Sequence, residues 1–169
     1  MHRDNGGYDG LYYAQIALDP TLQDSELPRA MDKRIDLGYE GVDPGSQGVV
    51  VEANPTLLME LMRNLVDNAL NYTPSTEAHA GVVTVRVLAD RFGQVVVFQV
   101  EDNGPGIPAE FCDTVFDRFV RLPGSRGDGC GLGLAIVRTL VMEELHGEIE
   151  LTSGAEGGTK ARLTIPVPA

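Results

Sequence analysis

Apolar residues recur along this chain with two different periods, and the changes of period divide it into elements. Between Pro55 and about Asn71, Leu58, Leu61, Met62, Leu65 and Ala69 fall at three- and four-residue spacing, which predicts an amphipathic helix. Asn54-Pro55 ahead of it combines a side-chain cap with a proline in the first turn. Val82–Ala89 and Gln94–Glu101 are β-branched runs joined by a turn around Asp90–Gly93, the pattern of a hairpin. Leu132–Leu145 repeats Leu132, Ile136, Leu140 and Val141 at helical spacing. Ile149–Thr152 and Ala161–Pro166 read as two last strands around the glycine turn SGAEGGT.

Shorter patterns fill the rest. Ile35–Leu37 and Val49–Glu52 read as strands on either side of the polar turn GYEGVDPGSQG, and Pro108 to about Phe116 as a short helix. A helix from Thr21 to Lys33 is expected despite Pro28 inside it. Residues 1–20 show neither period and read as a linker or lead-in, leaving 21–169 as one domain. Helices segregated against a mostly antiparallel sheet of about five strands make the expected fold an α/β (α+β) two-layer sandwich.

Charge narrows the chemistry. A formal net charge of −12 over 169 residues argues against nucleic acid and against anionic membrane as partners. The sequence has no run of about 18 apolar residues and no signal-peptide pattern, so a soluble piece is expected. Cys112 and Cys130 lack metal-ligand spacing and read as reduced thiols. Any anionic ligand must therefore be held locally, by backbone donors, a metal and a few arginines.

Three polar clusters offer such a hold. The first is on the helix in NLVDNALNYTP. At about 100° per residue, Glu60, Asn64, Asp67, Asn68 and Asn71 form one stripe beside the leucine stripe. Asparagine is a poor helix former, each one giving up a few tenths of a kcal/mol. A use for the amide oxygens would explain the choice, since Mg2+ takes hard oxygen ligands and keeps phosphate in its shell. The second is Asp102-Asn103-Gly104-Pro105-Gly106-Ile107-Pro108, at the end of a strand. Asn-Gly and Pro-Gly account for a turn, whereas Asp102 offers an acceptor to an exocyclic amine such as N6 of adenine, with Ile107 as apolar contact to the base. The third is the glycine loop RLPGSRGDGCGLGL, with Phe116, Arg118, Phe119 and Arg121 ahead of it. Its bare backbone can approach phosphate oxygens where a helix begins. It contains neither G-x-x-x-x-G-K-[ST] nor a complete G-x-G-x-x-G.

Asn64-Leu-Val-Asp-Asn68, Asp102-Asn-Gly-Pro-Gly106, Phe116-Asp-Arg-Phe119 and Gly129-Cys-Gly-Leu-Gly133 resemble, in order, the N, G1, F and G2 boxes of the catalytic ATP-binding domain of sensor histidine kinases. The resemblance covers about Ile35 to Pro166 and implies a Bergerat sandwich. It implies Asn68 as the main Mg2+ ligand and Asn64 as a second ligand or phosphate contact. Tyr72 is similar to the aromatic lying against adenine, and Asp102, with Gly104, Gly106 and Ile107, to the turn that reads the base. Phe119, Arg118 and Arg121 match the F-box region, whose arginines reach the terminal phosphate. Gly129, Gly131, Leu132, Gly133 and Leu134 match the lid end over the phosphates, and Thr159 a strand threonine near Asp102.

Asn71 stands where many members of the family carry a phosphate-facing lysine, and His146-Gly147 departs from the usual His-Gly-Gly, which predicts a local bulge. His2, His79 and His146 lack the flanking pattern of a phosphate acceptor. The resemblance therefore implies that Mg-ATP serves a histidine on a separate dimerisation domain, and that a response regulator follows. It also implies that the isolated piece is monomeric, in the cytoplasmic part of an inner-membrane sensor kinase without direct membrane contact. A gyrase-type ATPase switch and a non-catalytic nucleotide-binding module are the alternatives. Asn64 counts against the first, because an amide cannot take a proton from water where hydrolytic relatives have a glutamate.

Overall fold

The computed structural model describes residues 13–15, 20–41, 50–90, 94–121, 133–154 and 156–166. Strands β1 (Tyr13–Gln15) and β3 (Val50–Glu52) pair antiparallel as a small separate sheet. The main sheet contains β2 (Ile35–Glu40), β4 (Gly81–Asp90), β5 (Val95–Asp102), β6 (Glu148–Gly154) and β7 (Gly157–Pro166), in the order β2-β4-β5-β7-β6. Only β2 runs parallel to its neighbour. The β4–β5 and β6–β7 pairs are hairpins, and β5–β7 joins them antiparallel. Helices α1 (Pro20–Asp32), α2 (Pro55–Tyr72) and α3 (Gly133–Glu143) complete the α/β sandwich expected from the sequence.

Helix α2 begins where its cap places it: Asn54 Oδ1 accepts from the N–H groups of Thr56 (3.0 Å) and Leu57 (3.3 Å). Its apolar stripe, Leu58, Leu61, Leu65 and Ala69 with Met62, Val66 and Leu70, is buried against the sheet. Val83, Val85, Val87, Val96, Phe98, Val100, Leu163 and Ile165 belong to the same core, together with Val137 and Val141 of α3. Fully burying side chains of this size contributes about 1.5–3 kcal/mol each, so the sandwich holds α2 firmly while its polar stripe faces away.

The structure departs from the sequence reading at four places. Tyr13–Gln15, inside the stretch without apparent period, is a strand. Pro108–Phe116 is two 3-10 turns, Ala109–Phe111 and Thr114–Phe116, and not one helix. In α3 the buried positions are Ala135, Val137 and Val141, whereas Ile136 is 47% exposed. At His146 there is no bulge: His146 takes φ 50, and Gly147 N–H bonds to the Val141 carbonyl (3.0 Å), closing the end of α3. Pairing then starts in register at Glu148–Thr164, and the irregularity lies at Ser153/Gly154. A Cβ at Gly147 would collide with the Thr164 carbonyl, which is why the single retained glycine sits there.

Candidate nucleotide site

Asp102 is the last residue of β5 and pairs with Thr159 of β7. Its Oδ1 accepts from Gly104 N–H (2.9 Å) and Thr159 N–H (3.3 Å). Among the described residues no protein donor engages Oδ2, which is left for a ligand. Burial pushes the carboxyl above the ordinary aspartate range; the two N–H donors pull the other way, and Glu101 adds repulsion.

The turn after Asp102 is braced from three sides. Gly158 N–H bonds to the Gly104 carbonyl (2.6 Å), Ile107 N–H bonds to Ser153 Oγ (2.7 Å), and Asn103 spans back to β4 through Val82 N–H (2.8 Å) and the Ala80 carbonyl (2.9 Å). Gly158 has φ 84, and a Cβ there would lie 2.6 Å from the Asp102 carbonyl oxygen. Gly104 is packed against the end of α2, with a Cβ position 3.1 Å from the Tyr72 carbonyl. Tyr72, Gly106, Ile107 and Thr159 are half-buried around this turn. The sequence reading missed Ser153 and Gly158; the only signal was the glycine turn SGAEGGT, read as a hairpin end.

The polar stripe of α2 splits into two groups. Glu60 pairs with Arg63, Asp67 with Arg29, and Asn71 Oδ1 accepts from Lys33 Nζ at 3.0 Å. These three therefore meet cations, Arg29 from α1 and Lys33 from just after it among them. Asn64 and Asn68, one turn apart, are half-buried and have no protein partner among the described residues. A Cβ at Gly133, the first residue of α3, would lie 3.7 Å from Asn64 Oδ1, so the start of α3 lies beside Asn64. Leu134, by contrast, packs against the core.

Glu26 of α1 is 1% exposed, with Arg29 (3.4 Å) and Arg63 (3.8 Å) beside it. Burial, and behind it the charge of Glu26, pushes the nearby Tyr39 phenol up to about 12. Arg29 and Arg63 thus compensate the buried carboxylate and fasten α1 along α2.

The arginine segment differs in character. Phe116 is buried under the Arg138 guanidinium, 5.5 Å from the ring centre. Beyond it Arg118, Phe119 and Arg121 are exposed, and Phe119, with φ 65, is 71% exposed. Gly129, Gly131, Leu132 and Cys130 lie outside the described residues.

The donor set fits a hard cation shared with phosphate. No group of three or more His, Cys, Asp or Glu among the described residues could hold a metal alone. Two free amide oxygens would supply part of a shell that a polyphosphate completes. Among the described residues, no helix is long and apolar enough to cross a membrane.

A family model described as histidine kinase-, DNA gyrase B- and HSP90-like ATPase matches residues 53–169. The chain is similar to the sensor protein QseC of Escherichia coli O157:H7, with 36% identity over 159 residues, 89% of this chain and 31% of that protein. It is 41% identical over 146 residues to the sensor protein kinase PmrB of Pseudomonas aeruginosa, covering 84% of this chain and 28% of the relative. Among solved structures it resembles the mycobacterial sensor histidine kinase MprB, with 26% identity, a TM-score of 0.71, and coverage of 89% of this chain and 97% of that one. The chain spans about a third of the length of the two curated relatives.

Proposed function

This chain belongs to the family of histidine kinase-, DNA gyrase B- and HSP90-like ATPases, as the catalytic ATP-binding domain of a two-component sensor kinase, and from that premise we propose that it binds Mg-ATP and donates the γ-phosphoryl group to a histidine on a separate dimerisation domain. The observation that carries this reading is the pair of amides, Asn64 and Asn68, without partners among the described residues, on the helix that meets the start of α3 at Asn64 and packs its C-terminal end against the Asp102 turn.

Asp102 Oδ2 would accept the exocyclic amine of adenine, with Ile107 and Tyr72 against the ring and Thr159, Gly104 and Gly106 fixing the turn. Asn68 and Asn64 would hold Mg2+, which when bound neutralises phosphate charge. Arg118 and Arg121 would come to the terminal phosphate with Phe119, and Gly129, Gly131, Leu132, Gly133 and Leu134 would form the lid end.

Phosphoryl transfer asks a protein mainly for positioning and charge stabilisation, and these residues supply both. Asn64 offers no proton acceptor, and Glu60 and Asp67 are paired with Arg63 and Arg29, so attack by water has no unpaired carboxylate as base among the described α2 residues. Hydrolysis should be slow compared with transfer.

In this reading residues 21–169 are the nucleotide domain and 1–20 its lead-in, fastened at its end by the β1–β3 pairing. The domain would be monomeric and cytoplasmic in the parent kinase, with a response regulator receiving the phosphoryl group from the acceptor histidine. Mixing this chain with an acceptor-helix domain and γ-labelled ATP tests the proposal. Acid-labile phosphate should appear on the acceptor alone. Label on this chain without the acceptor, lost when His2, His79 or His146 is replaced, would sink it.

A further inference from the structure

Three cations lie where α1 and the residue after it meet α2, and one of them has no carboxylate partner among the described residues. Arg29 meets Glu26 and Asp67, and Arg63 meets Glu26 and Glu60. Lys33 instead donates to two neutral oxygens, Leu70 O at 3.3 Å and Asn71 Oδ1 at 3.0 Å. Of these three cations Lys33 is therefore the one whose described partners are both neutral oxygens.

Its position also fixes the Asn71 amide. An ammonium has three donors and no acceptor, so only the carbonyl oxygen of the amide can face it. The Nδ2 donors are thereby turned away from Lys33, and no described protein group accepts from them. Asn71 lies one turn after Asn68, about 4.5 Å along the helix axis, on the same stripe. A metal site uses amide oxygens, whereas an anion needs donors. Asn71 is thus set up as an anion donor, unlike Asn64 and Asn68.

We infer that Lys33 and Asn71 act together on the polyphosphate of the bound nucleotide: Lys33 orients the Asn71 amide and polarises it, and Asn71 Nδ2 donates to a phosphate oxygen. The inference rests on the nucleotide reading above. Lys33 is a positioning residue set immediately after the end of α1, more than twenty residues before the first polar cluster. The competing role is plain helix capping, since α2 has no basic residue of its own in its last turn and Lys33 meets the Leu70 carbonyl.

Titrating the chain and its variants with ATP, ADP and AMP in the presence of Mg2+, alongside thermal unfolding, separates the roles. Lys33→Met should weaken ATP about fivefold to tenfold, ADP less, and AMP hardly at all, and Lys33→Arg should recover most of the loss. Asn71→Asp should weaken ATP at least as much as Lys33→Met, because it exchanges the outward donors for a second carboxylate oxygen while remaining a good partner for Lys33. Equal losses for AMP and ATP, or a lower unfolding temperature with unchanged ATP affinity, would leave only the cap and overturn the inference. A parent chain that binds none of the three nucleotides would instead remove the nucleotide reading beneath it.

Discussion

The two ends of the candidate cleft are built on opposite plans. At the base end, Asp102 through Ile107 is tied to β4, β6, β7 and the end of α2 by hydrogen bonds of 2.6–3.3 Å and by glycines with no room for a side chain. At the phosphate end, Arg118, Phe119 and Arg121 are exposed, and the backbone bond described inside that segment is Val120 N–H to the Asp117 carbonyl at 3.4 Å. In the proposed function, a preformed base site would read its ligand without an ordering cost at binding, whereas an exposed arginine segment would follow the phosphoryl group. In that proposal recognition and transfer fall to different kinds of structure.

The comparison is broken most directly at Asp102. Asp102→Ala should weaken Mg-ATP binding by about 100-fold with stability changed by less than ~1 kcal/mol, read by calorimetric titration and thermal unfolding. If the parent binds GTP as tightly as ATP, Asp102 is not the residue that reads the base. Arg118→Ala with Arg121→Ala should slow transfer to an acceptor domain by about 10- to 100-fold while ATP affinity changes less than about threefold. A loss confined to affinity would put both arginines in ground-state binding. Gly158→Ala should cost about 2–3 kcal/mol and weaken ATP, since the new Cβ meets the Asp102 carbonyl at a strained φ. An unfolding midpoint within error of the parent would show the brace to be soft.

Acidity gives a finer measure. The folded-state pKa of Asp102 is raised, so the folded chain holds that proton more tightly than the unfolded one. Its contribution to stability is therefore full below the unfolded pKa and is lost as pH rises through the folded one. ATP affinity runs the other way, because the ionised carboxylate is the acceptor. It should begin to fall, on acidification, above the pH at which an ordinary aspartate titrates. An affinity profile identical in the parent and Asp102→Asn would detach this titration from Asp102. The smallest effect expected is in hydrogen exchange on adding a nonhydrolysable ATP analogue. Protection should rise across Asp117–Arg121 and change little at the already braced Gly104 and Ile107.

Much of this contrast was legible in the sequence where the cause is local. Asn54 caps α2 through bonds to Thr56 and Leu57, and the leucine stripe beneath Asn64 and Asn68 follows from helical period alone. The Asp102 turn announced itself through its own glycines and prolines. What could not be read depends on partners distant in sequence: Ser153 meets Ile107 across 46 residues, and Lys33 reaches Asn71 across 38. The three-residue strand Tyr13–Gln15 carries too short a period to be seen without Val50–Glu52 beside it. Ile136 misled because period identifies a helix more securely than which of its neighbouring faces meets the core, and α3 buries Val137 instead.

The main sheet stops at β2 on one side and β6 on the other, and both margins carry exposed acids: Asp36 and Glu40 along β2, Glu148 and Glu150 along β6. Unpaired strand margins are templates for a neighbouring chain, and like charges set opposite one another across such a junction disfavour it. A second copy sliding along β6 would bring carboxylate against carboxylate. Surplus negative charge, a hindrance to holding phosphate, would there oppose the addition of another strand.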